Sequence, residues 1–236
     1  MAVEFPRFDD IKNIEKIRRL NDILKSQVVS FDIDGVEANS ARESITQVNR
    51  RFGTRFTISD IKSYYGLADL LKEVPNISDP LKTSIEIWNS PEVFEATLPV
   101  SGARILSDFL RKEGVDAYRI SSRPGSTRQI TISWYQRWMP WVSPKRIYLQ
   151  RTGEEINTDF KVKTISDLGV RFHFEDSYEE AEQIVKNTDA IVVLVPQPWN
   201  FTYQSTDKRI IIPRENTQIS GIFRAYFALA DVVAQS

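Results

Sequence analysis

Two aspartates one residue apart, Asp32 and Asp34, end the apolar run Val28-Val29-Ser30-Phe31 and are followed by Gly35. A buried strand that stops at a turn glycine delivers acids to the rim of a sheet. Residues i and i+2 of an extended chain share a face, so this spacing predicts two carboxylates side by side. Close like charges repel unless a proton or a metal ion lies between them. The chemistry open to such a pair is metal binding, with one aspartate attacking phosphorus and its neighbour handling the proton of the leaving oxygen.

In open parallel sheets ligands gather beyond the carboxyl ends of the strands, so the residues that follow each apolar run are the next candidates. The second run ends in Ser121-Ser122-Arg123-Pro124, the third leads toward Arg151, the fourth ends in Glu175-Asp176-Ser177, and the fifth in Pro196-Gln197-Pro198-Trp199-Asn200. Lys161 and Lys163 precede the fourth. Carboxylates from two strand ends make a hard-oxygen site suited to Mg²⁺, a metal that keeps waters and shares its shell with a substrate phosphate. Hydroxyl and lysine groups then offset the charge on the other phosphoryl oxygens. Bland alternatives exist for each: an isolated Asp-x-Asp-Gly is more often a calcium loop or turn, Ser121 and Ser122 suit a helix cap, and a lone Lys161 suits a solvated helix face. Arg123 and Arg128 either hold a second part of a substrate or pair with surface acids. Position in one ordered series is what favours the chemical reading.

The chain has 236 residues, 31 Lys and Arg against 32 Asp and Glu, a net charge of -1 and no cysteine. Length permits a sizeable core. Charge balance gives no pull toward nucleic-acid polymers or acidic membranes, and a small, locally recognised substrate is expected. Absence of cysteine excludes disulfides, thiolate metal sites and cysteine nucleophiles. No run approaches a membrane span and no signal core opens the sequence, so the expected location is the cytoplasm.

The elements that must position these groups follow from periodicity. Residues 9 to 26 place Ile11, Ile14, Ile17, Leu20 and Leu24 at helical spacing, a stripe that serves either to cover the sheet or to make a subunit contact, in which case a homodimer follows. After the aspartates, helices are predicted from Asn39 or Ser40 to Phe52, from Thr57 or Ser59 through Ile61, Tyr64 and Leu67, and from Asp79 to Asn89. From Gly102 strands and helices alternate: helix Arg104–Glu113, strand Val115–Ser121, a helix from Ser126 with a Ser126/Gln129 capping box, strand Lys145–Leu149, helix Asp159–Leu168 and strand Val170–Phe174. A helix opened by a Ser177/Glu180 box, strand Ala190–Val195, an edge strand Ile210–Ile212 and a helix Thr217–Ala234 complete the series. Alternation of this kind predicts a parallel sheet with helices on both faces. His173, the single histidine, falls mid-strand and reads as structural and half-buried. Phe52, Phe56, Tyr64, Tyr65 and Trp88 read mainly as core of the helical insertion, with stacking on a nucleobase as the alternative, and Trp134, Trp138 and Trp141 read as packing.

With these motifs in place, the chain from Val28 to Asn200 resembles the haloacid dehalogenase-like (HAD) phosphohydrolases. The matching residues are Asp32-Ile33-Asp34-Gly35, Ser121, Lys161 with Lys163 as the fallback, and Glu175-Asp176. The resemblance implies an α/β three-layer Rossmann-like fold with strand order 3-2-1-4-5, formed by residues 28–36 and 98–236 after an N-terminal helix in 1–27. It also implies a small helical type-one cap in 37–97. It implies Asp32 as nucleophile, Asp34 as general acid/base, and Ser121 and Lys161 on the phosphoryl group. Mg²⁺ is then held by Asp32, the backbone carbonyl of Asp34 and Asp176, with Glu175 in support. Ser-Ser-Arg-Pro and Gln-Pro-Trp-Asn resemble the branch with the 5'(3')-deoxyribonucleotidases, which makes Ser122, Arg123, Trp199 and Asn200 substrate-binding candidates. That branch carries Thr-Ser-Pro and a doubled Asp at the corresponding places, so a phosphatase is better supported than a nucleotide substrate. The expected activity is a Mg²⁺-dependent phosphomonoesterase on a small phosphorylated substrate, nucleotides included. The alternatives are a sugar-phosphate or other metabolite phosphatase, a phosphomutase, or a non-catalytic binding or regulatory protein of the same fold. Dehalogenation is disfavoured because that branch does not use the second aspartate.

Overall fold

Short β-branched and aromatic runs alternate with amphipathic helices along most of this chain, and they fold as the pattern requires. The computed structural model describes residues 11–63, 65–150, 157–213 and 220–235. Helix α1 (Ile11–Lys25) leads into β1 (Val29–Phe31). Four helices follow: α2 (Ser40–Phe52), α3 (Gly66–Leu71), α4 (Pro80–Trp88) and α5 (Pro91–Ala96). Then come α6 (Ala103–Lys112), β2 (Tyr118–Pro124), α7 (Arg128–Trp138), β3 (Ile147–Gln150) and α8 (Asn157–Leu168). The chain finishes with β4 (Phe172–Glu175), α9 (Tyr178–Asn187), β5 (Ile191–Leu194), β6 (Ile210–Ile211) and α10 (Gly221–Gln235). The strands form one parallel sheet in the order β3-β2-β1-β4-β5-β6, which contains the expected 3-2-1-4-5 and adds β6 at the edge.

The sheet separates two apolar layers, and alternation along the strands decides which residue enters which. Phe31, Phe172, Phe174 and Val193 face α1, α6, α7 and α10, whereas Ile120, Val192 and Leu194 face α8 and α9. Phe31 and Phe174 stack across the β1–β4 pair with centroids 4.5 Å apart, a contact that adds about 0.5–1.5 kcal/mol to its buried area. The opposite parity puts Ser30 and His173, register partners in β1 and β4, on the α8 and α9 side. Helix α1 covers the sheet and docks on α10: Leu20 and Leu24 are buried in the core, and Tyr226 donates its hydroxyl hydrogen bond to Asn21 Oδ1 at 2.5 Å.

Helices α2 to α5 pack around an apolar cluster that includes Ile45, Val48, Leu71 and Val93 and takes in Trp199 from beyond β5. The segments entering and leaving this group run side by side, with Asn39 N–H donating to Leu98 O and Val100 N–H to Glu37 O, both at 2.9 Å. Glu37 also anchors the junction to the core, since buried Arg119 holds it at two points and Tyr135 donates to it.

The helices differ from expectation at three places. The second predicted helix is a 3₁₀ turn over Ile58–Asp60 followed by α3, because the Thr57/Asp60 box closes after one turn and Ile61 is extended. The Ser126/Gln129 box does not form: the chain makes a 3₁₀ turn over Gly125–Thr127, and Thr127 donates its hydroxyl to Pro124 O. Helix α5 was not expected; Ser90 caps it by accepting from Val93 N–H, with Pro91 at its first position. Thr217, Tyr64 and Arg151 lie outside the described residues. No helix among the described residues is long and apolar enough to cross a membrane.

Candidate active site

Asp32 stands at the carboxyl end of the central strand, its N–H donating to Phe174 O at 2.8 Å, and is 5% exposed. Lys161 reaches it from α8, with Nζ 3.3 Å from Asp32 Oδ1 and 2.7 Å from Glu175 Oε2, and in contact with Glu180 Oε2. Burial opposes the lysine's charge, but these three carboxylates hold it well above the ordinary range. Lys163 sits on the surface beside Asp167, so Lys161 is the lysine that the fold brings to the site.

Glu175 is fixed on every side. Its Oε2 accepts from Lys161 and from His173 Nε2 at 3.1 Å, and its Oε1 accepts from the amides of Asp176 and Ser177 at 3.0 and 3.1 Å. A carboxylate only accepts here, so Nε2 carries the imidazole proton and Nδ1 accepts from Ser30 Oγ at 2.8 Å. His173 is fully buried rather than half-buried, and burial keeps it below the usual imidazole value against the pull of Glu175. Burial works against the Glu175 charge, but Lys161 and His173 outweigh it and hold Glu175 below the carboxylate range.

One carboxylate oxygen each from Asp32, Glu175 and Asp176 lies within 4.8 Å of the others. Burial, then Glu175, pushes both Asp32 and Asp176 up, with Lys161 opposing. An all-oxygen set with surplus negative charge fits a hard divalent cation such as Mg²⁺, which would relieve that repulsion. The backbone is cut to suit it: Gly35 has φ +73°, and a Cβ there would stand 2.0 Å from Asp176 Oδ2.

Asp34 lines the same cavity as Asp32, and after burial and Glu175 its charge also pushes Asp32 up. The strand ends at Phe31, and beyond Asp34 the chain turns back through Ala38 N–H to Ile33 O at 2.7 Å. The Asp34 carboxylate meets Arg123, which donates Nε to Oδ2 at 2.8 Å and Nη2 to Oδ1 at 2.7 Å, and it also accepts from Ser40. It is not part of the three-carboxylate cluster. Arg123 is 2% exposed, its remaining Nη1 donates to Thr131, and its guanidinium lies over the Phe94 ring. The guanidinium is thus committed to Asp34, to Thr131 of α7 and to the Phe94 ring of α5.

Ser121 is buried in the site wall and accepts from Arg123 N–H at 3.3 Å, while Ser122 Oγ is buried without a hydrogen-bond partner among the described residues. Asn200 donates from Nδ2 to Asp176 O at 2.8 Å and to Val195 O at 2.9 Å, and Trp199 Nε1 donates to Asp176 O at 3.2 Å. These two side chains brace the backbone of Asp176, and Trp199 also lines the cavity. Gln197 Nε2 donates to Gly35 O at 2.6 Å and ties the same loop to the first motif.

Glu180, Ser40 and Gln197 are the site residues that sequence reasoning did not single out. The Ser177/Glu180 spacing predicts a capping box, and Ser177 Oγ does accept from Glu180 N–H at 3.2 Å, but the Glu180 carboxylate turns to Lys161. Its place four residues after Asp176, in the first turn of α9, was the available signal. Above the cradle a cavity of about 640 Å³ opens between the strand ends and α2 to α4.

No known protein-family pattern and no curated protein sequence matches the chain. Solved structures do resemble it. A protein from Clostridium difficile, provisionally named a phosphatase, aligns at 16% identity over 81% of this chain and 95% of its own, with a TM-score of 0.53. One from Lactobacillus delbrueckii, provisionally named a phosphoglycolate phosphatase, aligns at 20% identity over 70% and 85%, with a TM-score of 0.50. One from Bacteroides fragilis, provisionally named a haloacid dehalogenase-like hydrolase, aligns at 18% identity over 79% and 96%, with a TM-score of 0.50. At such identities the likeness is one of architecture: the parallel sheet and its flanking helices have the fold of the haloacid dehalogenase-like hydrolases.

Proposed function

We propose that this protein hydrolyses a small phosphomonoester, nucleotides being among the candidates, through an aspartyl-phosphate on Asp32 with Mg²⁺ as its metal. The observation that carries the reading is the meeting of Asp32, Asp176 and Lys161 at the carboxyl ends of β1 and β4, beneath the mouth of the cavity. Mg²⁺, when held by Asp32 and Asp176, would offset charge on the phosphoryl oxygens. Asp32 attacks phosphorus, forming the carboxyl O–P bond as the ester O–P bond breaks. Asp34 gives a proton to the departing alkoxide and then takes one from the water that cleaves the aspartyl-phosphate. Arg123 and Ser40 hold the Asp34 carboxylate in a single orientation for both transfers. Lys161 and the Ser121 hydroxyl steady the transferring oxygens, and Glu175, Glu180, His173 and Asn200 hold Lys161 and Asp176 in place.

The test is phosphate release from an aryl phosphate by the full chain with and without Mg²⁺, alongside Asp32→Asn. The expected result is turnover that needs Mg²⁺ and falls at least about 10³-fold in the variant. Turnover that persists in a folded Asp32→Asn protein would remove the proposal, and metal binding with no turnover by the parent chain would favour a binding protein of this fold.

A further inference from the structure

The cavity above the cradle has one chemical character below and another above. Every charged side chain lining it, among the described residues, belongs to the cradle: Asp32, Asp34, Arg123 and Lys161 with the acids around them. Among the described residues its cations are Arg123 and Lys161, and both are committed, the first to Asp34 and the second to Asp32, Glu175 and Glu180. The described residues of the upper wall include no cation that would receive a second phosphate or a carboxylate.

That wall is apolar by construction. Leu81, Ile85 and Trp88 recur at i, i+4 and i+7 on α4 and all line the cavity, so one stripe of that helix faces the cradle. Leu81 is 50% and Ile85 51% exposed, which marks them as an apolar surface continuous with the catalytic floor rather than part of the cap's own core. Ile61 and Leu67 extend it, and the polar residues interspersed, Ser63, Tyr65, Ser84, Asn89 and Gln150, are not ionic. At about 640 Å³ the space lies within the roughly 300–1,000 Å³ typical of small-molecule sites, well beyond what a phosphoryl group fills.

Resting on the phosphatase reading above, we infer that the alcohol released is bulky, uncharged and apolar or aromatic, seated on the Leu81, Ile85 and Trp88 stripe, and that a substrate with a second anionic group is rejected. Rejection follows from desolvation: an anion carried into this chamber gives up part of its water and, among the described residues, meets neutral groups but no cation to replace it. A flat or apolar group gains by covering surface that is now wet.

The experiment compares kcat/KM for five esters of primary alcohols, chosen so that the leaving groups are of similar kind: 2-phenylethyl phosphate, a nucleoside 5'-monophosphate, ethyl phosphate, glucose 6-phosphate and phosphoglycolate. The expected order puts one of the first two at least about tenfold above the last three. In a Leu81→Ser/Ile85→Ser variant, chosen at half-exposed positions, that favoured ester loses about tenfold or more while ethyl phosphate stays within about twofold. Preference for phosphoglycolate or glucose 6-phosphate, or equal losses for all esters in the variant, would overturn the inference. If no ester is turned over, the phosphatase reading falls, and calorimetry of 2-phenylethyl phosphate against phosphoglycolate on the Mg²⁺-loaded chain still decides this one: tighter binding of the apolar ester upholds it, and equal or weaker binding overturns it.

Discussion

Arg123 grips Asp34 at two points, Nε to Oδ2 at 2.8 Å and Nη2 to Oδ1 at 2.7 Å, from a position almost closed to solvent. The fork fixes the plane of the carboxylate, which a single ammonium cannot do. Arg123→Lys keeps the charge and loses the plane, so kcat for phosphate release should fall about 10–100-fold with KM within about twofold. Arg123→Met leaves Asp34 without its buried partner and should lower stability by about 3 kcal/mol in urea titration. A large rise in KM with unchanged kcat would instead place Arg123 on the substrate.

Gly35→Ala brings a Cβ to 2.0 Å from Asp176 Oδ2, far inside any non-bonded contact. The carboxylate must swing away, and alanine at φ +73° adds about 1 kcal/mol of backbone strain. The expected outcome is a Mg²⁺ affinity lower by about tenfold or more in calorimetric titration, with the far-ultraviolet spectrum retained. Unchanged affinity would take Asp176 out of the metal site.

Asn200 satisfies Asp176 O after β4 and Val195 O after β5 and accepts from Gln197 N–H. Asn200→Ala takes the partner from Val195 O and Gln197 N–H and leaves Asp176 O to Trp199 Nε1 alone, which should cost about 2 kcal/mol of stability and weaken Mg²⁺ binding about tenfold. Phosphate ester KM measured at saturating Mg²⁺ should change little, which separates bracing of Asp176 from contact with substrate.

The sheet was legible because each strand is a short apolar run closed by polar residues, and alternation with helices leaves few parallel topologies open. The groups at the strand ends were legible for the same reason, since Ser121, Glu175 and Asp176 needed only their strand to be placed. Lys161 was harder, because two lysines two residues apart lie on opposite sides of a helix and only packing distinguishes them. Asp34 was legible as a neighbour of Asp32 from its spacing, but its grip by Arg123 and Ser40 was not, because neither pairing follows from the spacing of the two aspartates. Glu180 was hidden by an equally good local role, the capping box, whose backbone half does form. Side chains such as Arg123 and Asn200 have partners far away in sequence, and no local pattern reports those.

His173, the only histidine in the chain, gives the site a stability dependence that is read as the difference between the parent and a His173 variant, because Asp32 and Asp176, pushed up by burial, add a pH dependence of their own. It is buried between Ser30 and Glu175 with Nε2 as donor, and burial keeps it below the ordinary value of 6.5 despite the neighbouring carboxylate. The unfolded chain therefore takes up a proton near pH 6.5 that the folded chain refuses. This contribution is fully present above that pH and is lost as pH falls toward the folded value, with a slope of at most about 1.4 kcal/mol per pH unit for one proton. Urea midpoints measured from pH 8 down to pH 5.5 in a metal chelator should fall for the parent chain relative to His173→Gln, whose amide can donate to Glu175 and accept from Ser30 and which keeps the Asp32 and Asp176 contribution. Parallel curves for the two proteins would mean that His173 takes up its proton alike in the folded and unfolded chains, and a parent that gains stability relative to the variant as pH falls would mean that an imidazolium holds Glu175 beside Lys161.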